Sequence, residues 1–175
     1  SEKYFPELCV SNKDPRANFY FGDGIAWVEA AAAASVDVII VDSTDPIGPA
    51  KGLFQQAFYT QCFRVLGSKG ILIQQSESPL MHLSLMCSMR AEMHKAGAPY
   101  VQTLQFPQCV YPTGWWTATL ASNSALDQFR HAAEARREFT TRYYNAAIHH
   151  ASTALPNFMQ TAFSAIASPN ELDAT

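Results

Sequence analysis

The chain has 175 residues, of which 48% are apolar and 15% charged. That is one domain of ordinary size with enough apolar surface to build a core, which argues against disorder. The formal net charge is -3, with no basic block or Lys/Arg stripe, so nucleic acid is excluded as an expected partner, while a small cationic substrate is compatible.

Residues 1 to 9, SEKYFPELC, read as a helix-compatible tail with no cap before it. "NFYFGDG" (18 to 24) predicts a short strand ending in a glycine turn. The alanine-rich run 25 to 34 predicts a helix. "VDVIIV" (36 to 41) is almost entirely β-branched, as a strand covered on both faces would be. A helix is expected from about 53 to 66, then a strand over 71 to 75 and a helix over 80 to 95. In that helix Met81, Leu85, Met89 and Met93 recur every four residues and read as a core-facing stripe. Strands over 100 to 106 and 115 to 122 predict an antiparallel hairpin, and a charged helix is expected over roughly 125 to 139. "RYYNAAIHHAS" and "ALPNFMQTAFSAIA" close the chain. Strands alternating with helices indicate an α/β sheet in a single domain spanning 1 to 175.

The cysteines Cys9, Cys62, Cys87 and Cys109 form no C-x-x-C pair and are not spaced from the histidines as a zinc site would be. They read as reduced thiols of a cytoplasmic protein. No apolar run is long enough to cross a bilayer, so no membrane partner is expected. His149 and His150 are adjacent and cannot share one face, so no metal site is expected there.

The chemistry centres on "VDVIIVDSTDPIGPAKGLF" (36 to 54). In open α/β sheets, ligands bind beyond the carboxyl ends of the strands. Asp42 stands at such an end, and Asp45 follows in a turn stiffened by Pro46, Gly48 and Pro49. Two carboxylates there can hold a cation, coordinate a metal, or divide the work of base and anchor. Taken alone, D-x-x-D-P reads better as turn or helix capping. Asp23 in "GDG" is open in the same way, since it can simply cap the alanine-rich helix. Glu77, just past another strand end, can face the same crevice, but a solvated loop glutamate is the simpler reading. The dinucleotide, P-loop and nucleophile-elbow motifs are absent from the chain.

Several motifs together carry a resemblance. "KYFPEL", "DPR" (14 to 16), "GDG" (22 to 24), "DVIIVDSTDPIGPAKGLF", "LFQQAFY" (53 to 59), "QSESP" (75 to 79), "YPTGWW" (111 to 116) and "RYYNAAIH…ALPNF" (142 to 158) occur in the order found in spermidine synthases. The chain therefore resembles the polyamine aminopropyltransferases over nearly its whole length. The resemblance implies a Rossmann-like, class I methyltransferase-type sheet, mostly parallel with a C-terminal antiparallel hairpin. It implies transfer of the aminopropyl group of decarboxylated S-adenosylmethionine to putrescine, giving spermidine and methylthioadenosine. No cofactor is implied, since the nucleoside is a co-substrate, and no metal.

Carried over motif by motif, Asp42 takes the proton-acceptor role. Asp42, Ser43, Thr44 and Asp45 contact the polyamine, Tyr111 lines its slot, and Trp116 forms a wall or packs in the core. Asp23, Gly24 and Pro49 correspond to nucleoside contacts. The family's G-G-G-D-G loop, its ribose-gripping acid and its small N-terminal β domain have no counterpart in this sequence. The chain is accordingly expected to be the C-terminal part of such a protein, lacking the first strands of the sheet. Alone it is expected to be incomplete, and to associate with itself as a dimer or tetramer or with a polypeptide carrying the remainder. The alternative is a non-catalytic nucleoside- or polyamine-binding module of the same fold.

Overall fold

The computed structural model describes residues 1 to 126 and 129 to 166. After two short 3-10 turns at Pro6–Leu8 and Val10–Lys13, the elements run α1 (Gly24–Ala30), β1 (Val38–Val41), α2 (Gln56–Leu66), β2 (Ile71–Gln75), α3 (Leu83–Lys95), β3 (Tyr100–Pro107) and β4 (Trp115–Ser122). Then come α4 (His131–Ala135), α5 (Ala146–Thr153) and α6 (Asn157–Ser164).

The strands form one sheet in the order β1-β2-β4-β3. β1 and β2 pair in parallel, with Val41 opposite Gln74. β4 runs antiparallel to both neighbours, pairing Gln75 with Ala118 on one side and Phe106 with Trp116 on the other. The expected hairpin is present, but β4 folds back between β2 and β3 and so holds the sheet's centre. The ends of β1, β2 and β3 and the start of β4 therefore lie along one edge.

Alternation sorts the side chains. Val41, Leu72, Val101 and Ala121 join one core cluster with Phe58, Cys62 and Phe63 of α2 and Met89 and Met93 of α3. The methionine stripe is thus core, in a shifted register. Met86 is buried and belongs to a second cluster with Met159 and Phe163, whereas Met81 is exposed. The amides of Met81 and His82 both donate to the Ser78 carbonyl, so a turn occupies the start of the expected helix, which begins at Leu83.

Other expectations need correction. Residues 18 to 21 form no strand, and Phe19, Tyr20 and Phe21 are exposed. A strand needs an edge to pair with, and among the described residues these have none. The alanine-rich helix ends at Ala30, because the Arg64 guanidinium donates to the carbonyls of Val28, Glu29 and Ala31, and the amides of Ala34 and Ser35 turn to the carbonyls of Arg64 and Val65. Tertiary capture overrides alanine's propensity there. The helix expected from 53 is a 3-10 turn over Gly48–Phe54 followed by α2, whose first amide, Gln56, donates to the Glu92 carboxylate of α3 at 3.0 Å. β1 is covered on one face only, since Val38 and Ile40 are 51% and 70% exposed. The charged stretch 125 to 139 is helical only over His131–Ala135, and its positions 127 and 128 lie outside the described residues. A helix this short is marginal on its own.

Candidate functional site

The shared edge carries the site. A cavity of about 860 Å³ is lined by the end of β1 and its following loop (Ile40 to Asp45), by Ile73 and Gln75 of β2, and by Phe106, Gln108, Tyr111, Trp116 and Ala118 of the hairpin. Most of its sheet residues alternate with buried ones: Ile73 against Leu72 and Gln74, Trp116 and Ala118 against Thr117. The pleat that buries one face thus leaves the other as the cavity floor.

Asp42, Ser43, Thr44, Asp45, Tyr111 and Trp116 are brought together in this one cavity. Tyr111 and Trp116 stack, with ring centroids 4.6 Å apart and planes tilted by 25°. Trp116 is a wall of the cavity rather than a core residue, and its indole N–H donates to Gln75 Oε1 at 3.0 Å. Apolar walls with a few convergent carboxylates suit a short alkyl chain bearing cationic ends. Ser43 Oγ is buried without a hydrogen-bond partner among the described residues.

Gln75 is the hub. Its Nε2 donates to the Ser43 carbonyl (3.1 Å) and to Glu77 Oε1 (2.8 Å), while its Oε1 accepts from Trp116 and from the Glu77 amide (3.1 Å). One amide side chain thereby ties the aspartate loop, the aromatic wall and the segment after β2 into fixed relation. From sequence it shows only as a polar residue at a strand end, a signal too common to single it out.

Glu77 departs from expectation. It is 3% exposed, not a solvated loop glutamate, and its backbone has a positive φ of 67°. Thr117 Oγ1 donates to its carbonyl at 2.8 Å, the Ser76 amide donates to the Thr117 carbonyl, and Ser78 and Thr113 pair through their hydroxyls. Its carboxyl lies 3.9 Å from His82 Nδ1. Burial pushes Glu77 above the usual carboxylate range. The Gln75 amide pulls it back, the Asp45 carboxyl pushes it further up, and His82 pulls it down.

Asp23, Gly24 and Pro49 do not line the cavity. Asp23 caps α1, with Oδ1 accepting from the amides of Ile25 at 2.8 Å and Ala26 at 3.4 Å. Both bonds use Oδ1, which leaves Oδ2 able to accept from a ligand. The turn that holds Pro49 lies against this helix start: a Cβ at Gly52 would sit 2.8 Å from Ile25 Cδ1. The turn that carries Pro49 and the start of α1 thus meet through Gly52 and Ile25. His149 is held by the Tyr144 hydroxyl at 3.1 Å and packs with His131 and His150 around Phe129. No helix among the described residues is long and apolar enough to cross a membrane.

Comparison with known proteins bears on this edge. The spermine/spermidine synthase domain family matches residues 1–131. The polyamine aminopropyltransferase of Nitrosococcus oceani is 62% identical over 160 residues, covering 91% of this chain and 56% of that protein. That of Methylococcus capsulatus is 57% identical over 158 residues, covering 90% and 55%. A crystal structure of spermidine synthase in complex with the transition state analogue AdoDATO matches with a TM-score of 0.86 at 29% identity, covering 94% of this chain and 56% of that one. The chain thus spans about half the length of the curated relatives it matches. The fold is the α/β, Rossmann-like sheet of these proteins, with the antiparallel hairpin at its C-terminal side. By sequence and by fold alike, the chain belongs to the spermine/spermidine synthase domain family.

Proposed function

We propose that the protein is a polyamine aminopropyltransferase, and that its acceptor slot is the cavity at the sheet edge. The observation that carries this is the convergence of Asp42 and Asp45 with the stacked Tyr111–Trp116 pair on one cavity of about 860 Å³. The donor is decarboxylated S-adenosylmethionine and the acceptor putrescine.

The chemistry suits these groups. The electrophilic carbon adjoins a sulfonium. As the amine nitrogen forms its new bond to that carbon, the C–S bond breaks and its electron pair stays on sulfur, giving neutral methylthioadenosine. The leaving group needs no proton. The nucleophile does need to lose one, because an aliphatic amine with a pKa of about 10 is mostly protonated at neutral pH. Asp42 orients the attacking amine and accepts its proton. Asp45 anchors the polyamine, and the aromatic pair packs its methylenes. Holding both substrates in line supplies much of the remaining acceleration. Asp23, Gly24 and Pro49 hold the nucleoside.

Replacing the base tests this. Asp42→Asn is expected to lower turnover by roughly 10²–10⁴-fold while methylthioadenosine binding survives, as read by steady-state kinetics beside calorimetry. Unchanged turnover removes Asp42 from the base role.

The chain forms a single catalytic domain of a cytoplasmic protein that works as a homo-oligomer. A second reading, a binding module without turnover, draws support from Asp23, Gly24 and Pro49 not lining the cavity. Methylthioadenosine calorimetry on the 175-residue chain separates the two. Measurable affinity supports an intact nucleoside site, and its absence supports a remnant.

A further inference from the structure

Two consecutive glutamines end β2, and the pleat sends them to opposite faces of the sheet. Gln75 faces the cavity and donates to the Ser43 carbonyl, at the start of the loop that joins β1 to α2. Gln74 is fully buried on the face that carries α2, after the apolar run Ile71, Leu72 and Ile73. A buried amide costs stability unless both its ends are bonded, and an apolar side chain would fill this place without that cost. Here both ends are bonded. Nε2 donates to the Leu53 carbonyl at 3.2 Å, near the end of the same loop, and Oε1 accepts from the Tyr59 hydroxyl of α2 at 2.9 Å. The Leu53 carbonyl can only accept, which fixes the orientation of the amide. Burial pushes the Tyr59 hydroxyl up, so it stays a donor.

We propose that Gln74 is a positioning residue for the nucleoside side of the site, fixing the turn Gly48–Phe54, and with it Pro49, while Gln75 fixes the start of the loop. The inference rests on the assignment of Pro49 to the nucleoside, and it adds what holds that residue in place. Both donors hang from adjacent residues of β2, whose register with β1 puts Gln74 opposite Val41, the residue before Asp42. The turn's own backbone bonds are long, 3.3 Å from the Ala50 amide to Ile47 and 3.4 Å from the Gln55 amide to Gly52. Phe54 also buries itself in the core. Packing of that kind is non-directional, whereas the hydrogen bond to Leu53 orients the peptide. One strand thereby sets the spacing between the proton acceptor and the nucleoside turn, and transfer between two bound substrates depends steeply on such spacing.

The test is hydrogen exchange and methylthioadenosine calorimetry on the 175-residue chain. Gln74→Met combined with Tyr59→Phe removes the two side-chain polar groups together, so neither is left buried without its partner and most of the stability is spared. In that variant the amides of Ala50 and Gln55 are expected to exchange roughly tenfold faster while those of β2 are unchanged, and methylthioadenosine to bind roughly tenfold more weakly. Tyr59→Phe alone loses only the partner of Oε1 and should raise the same exchange to a smaller extent; it decides the matter if the double variant does not fold. A purely structural role predicts another pattern: a lower urea midpoint, exchange raised in β2 as much as in the turn, and affinity unchanged among folded molecules. That pattern, or turn exchange unchanged in both variants, overturns the role of Gln74 while leaving the nucleoside assignment in place. A wild-type chain that binds no methylthioadenosine sinks the nucleoside assignment, and this inference with it.

Discussion

Glu77 occupies a backbone conformation that costs a residue with a Cβ about 1–2 kcal/mol. Nothing in "QQSESP" announces it. The positive φ arises because Thr117 and Gln75 grip the peptide from either side, and Thr117 is forty positions away. Asp42, by contrast, is set at a strand mouth by a local pattern, a β-branched run ending in aspartate, although that pattern and the Asp45 that follows read alone as capping. Tyr111 and Trp116 are legible only as part of a family motif, since their stacking follows from the hairpin's closure. The strain at Glu77 is separable from its carboxyl. Glu77→Gly and Glu77→Ala both remove the acid, but glycine accepts the φ without penalty. Glu77→Gly is expected to be the more stable of the two by about 1 kcal/mol in urea unfolding. Equal midpoints would mean that the segment relaxes once the carboxyl is gone.

Among the elements, α1 shows most clearly where local rules hold and where they stop. Its start obeys them, because Asp23 caps it through Oδ1. Its end does not: five alanines in a row predict continuation, and Arg64 of α2 instead collects the carbonyls of Val28, Glu29 and Ala31. The strands of the sheet fared better, since β2, β3 and β4 lie within a residue of their expected bounds. The insertion of β4 between β2 and β3 is not written in either strand, because pairing partners depend on which edges the rest of the chain leaves open. The cap makes a prediction that divides two roles. Asp23→Ala should cost about 1 kcal/mol of stability. Asp23→Ser keeps a capping oxygen, so it should preserve stability but lower methylthioadenosine affinity by roughly tenfold, as the loss of one hydrogen bond to a ligand would. Unchanged affinity in the serine variant would restrict Asp23 to capping.

At the scale of the whole molecule, the sheet is packed unevenly. One face carries α2 and α3, while β1 presents Val38 and Ile40 on the other, and Phe21 nearby in sequence is 92% exposed. An apolar strand at a sheet edge invites pairing with another chain. The 175-residue chain is therefore expected to self-associate at tens of micromolar, as seen by light scattering, and Val38→Lys should shift it toward monomer. A clean monomer of the unmodified chain at high concentration would count against this. Composition alone foretold a real core, but not which sheet face would receive it. That depends on where the helices return, a property of chain path rather than of any one segment.

The hairpin loop, residues 108 to 114, supplies Gln108 and Tyr111 to the cavity, whereas the aspartates hang from the end of β1, two strands away. The two sides of the slot are joined through Gln75, which holds Trp116 on one side and the Ser43 carbonyl on the other, while Tyr111 reaches that frame by stacking on Trp116. Adding or removing a residue in that loop is expected to slide Tyr111 along the slot while the strand pairing of β3 with β4 keeps Trp116 in place. If the cavity is the acceptor slot proposed above, loop length acts as a gauge of acceptor length set against the fixed stop of the β1 end.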